Sequence, residues 1–152
     1  MAEPTQERAV RLHAGNLGVH LGTTLLIACF FLPWTRLGGY TAVEMAFSAD
    51  KARVALLALA LRPKDPLAYT RVLYMIPLLA LATLMLEFTI PPGHVGRGLA
   101  RISILAAGGT LCVFLSTVGV RYGSGLSYGF WWSLSGAYFV TVGGVFNVCR
   151  GE

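Results

Sequence analysis

Glu87, His20 and Asn16 are the residues of this chain whose burial would need a chemical reason. Glu87 is the only acid inside a long apolar stretch. A charged group at the centre of a hydrocarbon layer costs about 2.5–3.5 kcal/mol by insertion scales. An acid kept there is a candidate proton or cation site. Glu87 also lies about one turn before Pro91-Pro92, and the plainer reading of that place is an interfacial carboxylate paired with Arg97 or Arg101. His20 and Asn16 are one helical turn apart on a shared face. They suit an interhelical hydrogen bond, with the imidazole neutral and satisfied by a carbonyl or hydroxyl. A pairing of His20 with Glu87 across a bundle would titrate, and it is the most specific chemistry the residues offer.

Other chemistries find no support in spacing. His13 and His94 add no helical H-x-x-x-H to His20. Cys29, Cys112 and Cys149 make no C-x-x-C pair, and small apolar packing residues are the expected role for all three. There is no G-x-x-x-x-G-K-[ST] and no G-x-S-x-G motif. We therefore expect no enzyme, no metal and no cofactor. The net charge of +5 is spread along the chain and suits anionic headgroups better than nucleic acid, which we exclude as a partner.

The elements that must position these residues are four apolar stretches, over residues 14–34, 70–90, 102–120 and 126–148. About 20 helical residues cross a hydrocarbon core of about 30 Å, and lipid leaves the backbone no partner outside its own helix. Hydrophobic residues make up 55% and charged residues only 12% of the 152 residues. The mean hydropathy of +0.65 points the same way. The fold expected is an all-α integral membrane protein: four antiparallel transmembrane helices in an up-down bundle, forming one domain. The first stretch follows a polar segment of mixed charge and is longer than a signal peptide's apolar region, so it reads as a retained span.

The longest loop, 35–69, divides in two. Residues 36–45 carry Gly38-Gly39 and read as extended chain with turns. Residues 50–62 read as a short interfacial helix, with Lys51 and Arg53 before an apolar run and Arg62 after it. A re-entrant segment is the alternative there. Pro77, a third of the way into the second stretch, predicts a kink. Arg121-Tyr-Gly-Ser-Gly125 predicts a hairpin between the last two helices.

The fourth stretch carries a packing signal. Gly125, Gly129, Ser133, Ala137 and Thr141 recur every four residues and form a ridge of small side chains that lets a neighbouring helix approach. Gly18 and Gly22 in the first stretch, and Ser103/Ala107 and Ala106/Thr110 in the third, offer the same over single turns. The ridge is expected inside the bundle, an oligomer interface being the other use. Trp34, Trp131 and Trp132 sit at stretch ends, where an interfacial aromatic belt is expected.

Orientation criteria conflict. The side bearing both termini carries five basic residues (Arg8, Arg11, Arg97, Arg101, Arg150), and the other carries seven, in and around an aromatic-rich loop. We expect that loop outside and both termini cytoplasmic. Arg outnumbers Lys ten to two, which associates with GC-rich bacterial genomes and hence a bacterial inner membrane. Phe31-Leu-Pro-Trp34 before Gly38-Gly39 resembles the first-span exit of many small four-span bacterial membrane proteins. It is also similar to the claudin-type arrangement, whose loop cysteines and second loop Trp are missing here.

The functional expectation is a non-catalytic accessory or assembly subunit of a larger membrane complex. Its partners would be the lipid bilayer and other membrane subunits or further copies of itself. The alternative is a small transporter or channel component with a polar path near Glu87 and His20.

Overall fold

The computed structural model describes residues 4–48, 50–51, 73–89 and 96–149, with side chains from Gly15 onward. The described residues are mostly helical, at 85%. Only two isolated bridges, Pro33 to Thr41 and Thr35 to Leu126, represent extended pairing among the described residues.

Helix α1 spans Pro4–Phe30. Its described part reaches back ten residues before the apolar stretch. At about 1.5 Å per residue it is about 40 Å long. It ends because Pro33 disfavours helical geometry at the residue before it. The last turn tightens instead, with the Phe31 N–H bonding Ala28 O and the Leu32 N–H bonding Cys29 O, each at 3.2 Å.

Gly38 and Gly39 then reverse the chain, with φ of 81° and 63°, values that side chains rarely tolerate. The returning strand of chain pairs at once: the Trp34 N–H donates to Tyr40 O at 2.8 Å. Beyond Tyr40 the chain departs from the extended conformation expected over residues 36–45. Helix α2, Ala42–Phe47, starts there behind a complete capping box. The Thr41 hydroxyl accepts from the Glu44 N–H at 3.1 Å, and the Glu44 carboxylate accepts from the Thr41 N–H at 3.1 Å. The T-x-x-E signal was present in the sequence and outweighs the nearby glycines. The expected short helix over 50–62 lies outside the described residues beyond Asp50 and Lys51.

Helix α3 is Met75–Thr89. Pro77 is its third residue, so it interrupts no established ladder and the expected mid-helix kink does not arise. Helix α4 is Gly96–Tyr122, a 3₁₀ turn covers Gly123–Gly125, and α5 is Tyr128–Cys149. Residues 96–125 together are the one stretch among the described residues both long and apolar enough to cross a membrane. The apolar parts of α1 and α3 are shorter, at Gly15–Phe30 and Met75–Thr89. Helix α5 is 22 residues long, but Tyr, Trp, Gly, Ser and Asn dilute its hydropathy.

Helix α5 is the centre of the bundle. It packs antiparallel on α1 along one side and on α4 along the other, and α3 closes against α1 and α4. The core runs through Val19, Leu26, Phe30, Trp34, Ile104, Leu111, Leu115, Phe130, Ala137 and Val140.

Candidate functional site

The polar residues with chemical potential come near one another without forming a joined site. His20 and Asn16 on α1 and Glu87 on α3 are all half-buried. The His20 ring lies over Phe88, with centroids 5.5 Å apart, and not over Glu87. No hydrogen bond or ion pair joins His20 to Glu87 among the described residues. Among the described residues, Glu87 forms no ion pair with Arg97 or Arg101. No three His, Cys, Asp or Glu side chains converge among the described residues as a metal site would require. The three cysteines are free.

The close-packed feature is a glycine seam between α1 and α5. A Cβ added to Gly136 would sit 2.9 Å from Gly22 O and 3.1 Å from the Leu25 Cβ. One added to Gly22 would sit 2.6 Å from Gly136 O. At Gly143 it would meet Gly15 O at 2.7 Å and Val19 N at 2.8 Å. Backbone thus rests on backbone, which only residues without a side chain permit.

The four-residue ridge is only partly this seam. Steps of four residues advance about 40° around a helix, whereas steps of seven fall back about 20°. Gly129, Gly136 and Gly143 therefore stay on α1. The ridge instead drifts across the buried half of α5. Gly129 meets Pro33 O on the α1 side, Ser133 and Ala137 are wholly buried, and Thr141 reaches Gly108 on α4. Gly125 belongs to the 3₁₀ turn, where its carbonyl accepts from the Arg36 N–H at 3.0 Å. On the α4 side, Gly144 lies against Leu105, whose Cα would be 3.1 Å from an added Cβ.

Gly136 and Gly143 follow the seven-residue period and lie off the four-residue ridge, with Gly15 and Gly22 opposite them, while Gly108 and Gly144 belong to the α4–α5 contact. On α4 the expected Ser103/Ala107 and Ala106/Thr110 pairs do not carry the contact. Its buried line is Ala100, Ile104, Gly108, Leu111, Leu115 and Gly119.

The opposite end of the bundle is locked by the Phe-Leu-Pro-Trp segment. Trp34 departs from the belt expectation: it is 3% exposed, inside the core. Its indole Nε1–H donates to Cys29 O at 2.9 Å, a second donor beside the Leu32 N–H at the end of α1. Its ring meets Phe130 edge-on at 5.4 Å. The Trp34 carbonyl accepts from the Ser127 N–H at 2.8 Å, and Pro33 O accepts from the Gly129 N–H at 3.1 Å. Arg36 completes the clasp, its Nε–H donating to Leu126 O at 3.0 Å. Trp131 and Trp132, by contrast, are 40% and 54% exposed.

The one ion pair among the described residues lies beyond this lock, between Lys51 Nζ and Glu44 Oε1 at 2.6 Å. The Lys51 hydrogen bond first, and the Thr41 N–H second, hold the Glu44 carboxyl below the usual range, while Glu44 raises Lys51. A depressed carboxyl stabilises the fold above the ordinary Glu range, and that contribution is lost as pH falls through the folded value. The raised amine contributes below the ordinary Lys range and loses its effect as pH rises through its folded value. The pair therefore acts across the neutral window between them. Following the Glu44 carboxyl carbon by NMR through an acid titration should give a midpoint below that of a free Glu. Lys51→Met should move the midpoint upward, the remaining depression being that from Thr41; an unmoved midpoint would remove Lys51 as its cause.

No protein family, curated protein or solved structure matches this chain.

Proposed function

We propose that this chain is a non-catalytic integral membrane protein of four antiparallel helices, an accessory or assembly subunit of a larger membrane complex in a bacterial inner membrane, with both termini cytoplasmic. The face that receives its partner is the outer face of α4.

The membrane reading rests on the residues that face outward. Only 28% of the apolar window of α4 is buried, whereas a core helix of a water-soluble protein would be mostly covered. Leu78, Leu81, Met85 and Phe88 project from α3, and Phe139, Val142, Val145 and Phe146 from α5. Apolar side chains exposed along two helices in this way suit a lipid or protein environment better than water. Trp131, Trp132 and Tyr128 lie exposed together at one end, as a headgroup belt would need. The glycine seam fits as well, since helices in lipid gain from close approach more than from burying large apolar side chains.

The observation that carries the subunit reading is the composition of the α4 outer face. Leu99, Ser103, Ala106, Thr110, Val113, Thr117 and Val120 are all exposed, at alternating steps of four and three residues. That is a heptad seam with small or β-branched residues at six of seven places. Its hydroxyls are already satisfied: Ser103 donates to Leu99 O, Thr110 to Ala106 O and Thr117 to Val113 O, at 2.9, 2.8 and 2.8 Å. A face meant for lipid would resemble the outer faces of α3 and α5, with their Leu, Met and Phe. This one is shaped for another helix, while the small ridge of α5 is already occupied within the bundle.

Native mass spectrometry of the protein, gently extracted from its own membrane, tests the proposal. A stoichiometric partner that is lost on Ala106→Phe or Thr110→Leu, with the melting temperature of the extracted chain unchanged, is the expected result. A lone monomer would sink the subunit reading, and would make Glu87→Gln under a proton gradient the next experiment.

A further inference from the structure

Asn147 is buried to 2% exposure near the C-terminal end of α5, and its Oδ1 has no hydrogen-bond partner. A carboxamide oxygen in that position needs compensation, because burial has removed its water. The geometry of Gly15 supplies one. A Cβ built on Gly15 would fall onto Asn147 Oδ1, with Asn147 Cγ at 3.0 Å and Gly143 O at 3.4 Å. The direction of an added Cβ is the direction of one of the glycine's own Cα–H bonds, so that C–H points toward the oxygen.

We propose that the Gly15 Cα–H donates to the Asn147 carboxamide oxygen, making a polar latch that sets the register of α1 on α5. Weak C–H donors of this kind recur where helices approach closely. The glycine is needed twice over, to supply the bond and to leave room for the oxygen. A leucine at position 147 would fill similar space without gaining from the donor. Register follows from the residues next in line: sliding α1 by one turn would set the branched, fully buried Val19 against Asn147. A buried polar residue at a helix contact is the best-attested way to select one register; the other two buried here, Thr23 and Ser133, bond within their own helices.

The test is proton NMR of glycine-labelled protein in detergent micelles, joined to a double-mutant cycle. In the wild-type protein one Gly15 Hα should lie downfield of its geminal partner, and Asn147→Ala should abolish that difference. Asn147→Ala should lower the apparent melting temperature by about 2 °C. Gly15→Ala should lower it further, because the methyl collides with the oxygen. The double variant should be no worse than Asn147→Ala alone, since removing the carboxamide makes room for the methyl. If Gly15→Ala does not fold, the shift in Asn147→Ala decides by itself. Additive losses, or a Gly15 shift that survives Asn147→Ala or Asn147→Leu, would overturn the latch.

Discussion

Gly22→Leu or Gly136→Leu should cost the bundle its α1–α5 contact, and with it most of the protein that can be extracted in a monodisperse form. At either position the first atom met is a backbone atom of the opposing helix: Gly136 O at 2.6 Å from a Cβ on Gly22, and Gly22 O at 2.9 Å from a Cβ on Gly136. A side chain can change rotamer to admit a newcomer, but a helix backbone moves only as a whole. Overpacking a core ordinarily costs about 1–3 kcal/mol. Here the loss should reach or exceed the top of that range, because separating the helices also opens the contacts of Val19, Leu26 and Val140. Against a total stability of about 5–15 kcal/mol, that is a severe loss.

Gly109→Leu provides the internal control. Nothing lies within 4 Å of a Cβ at Gly109, which sits on α4 beside the packed Gly108. Leucine is also the better helix former, by up to about 1 kcal/mol. This variant should melt at or above the wild-type temperature by circular dichroism at 222 nm. Equal losses in Gly22→Leu and Gly109→Leu would show that helix propensity or insertion, and not the seam, governs the response.

The same pair of glycines marks how far the sequence could be read. Helix was legible wherever apolar residues ran on without interruption, and so was the reversal at Gly38-Gly39. The helix over the polar residues before Gly15 was not, because they carry no hydropathy signal even though backbone bonding continues through them. Small residues were recognised as contacts, but their partners could not be assigned. On a helix of 3.6 residues per turn, a four-residue repeat and a seven-residue repeat begin at the same Gly129 and part company within two turns. Which repeat holds the neighbour depends on how the axes cross, and that is a property of two helices together. Asn147 was overlooked for a related reason: one Asn near the end of an apolar stretch looks interfacial until α1 is laid over it. The proposed meeting of His20 and Glu87 needed both helical rotations to be right, and the contact with Phe88 fell one residue away.

Trp34 supplies the second large effect, because its buried side chain joins the end of α1 at Cys29 to Phe130 of α5. Trp34→Ala should destabilise the protein by about 3–5 kcal/mol, the usual loss for emptying a large aromatic site in a core. The deletion removes the edge contact with Phe130 and leaves Cys29 O without its indole donor. It also loosens the segment that hands its Pro33 and Trp34 carbonyls to the start of α5. Trp34→Phe separates these contributions. It keeps most of the ring and the aromatic contact, and it gives up the indole N–H, so the expected loss is about 0.5–1.5 kcal/mol, that of one hydrogen bond, because Cys29 O keeps the Leu32 N–H. Fluorescence offers an independent check. Of the three tryptophans, Trp34 is the buried one, so Trp34→Phe should remove the blue-shifted part of the emission and leave the signal of the exposed Trp131 and Trp132. A tryptophan of the headgroup belt would behave differently: both substitutions would leave the melting temperature nearly unchanged and remove a red-shifted component. That outcome would return Trp34 to the interface and undo the clasp between the end of α1 and the start of α5.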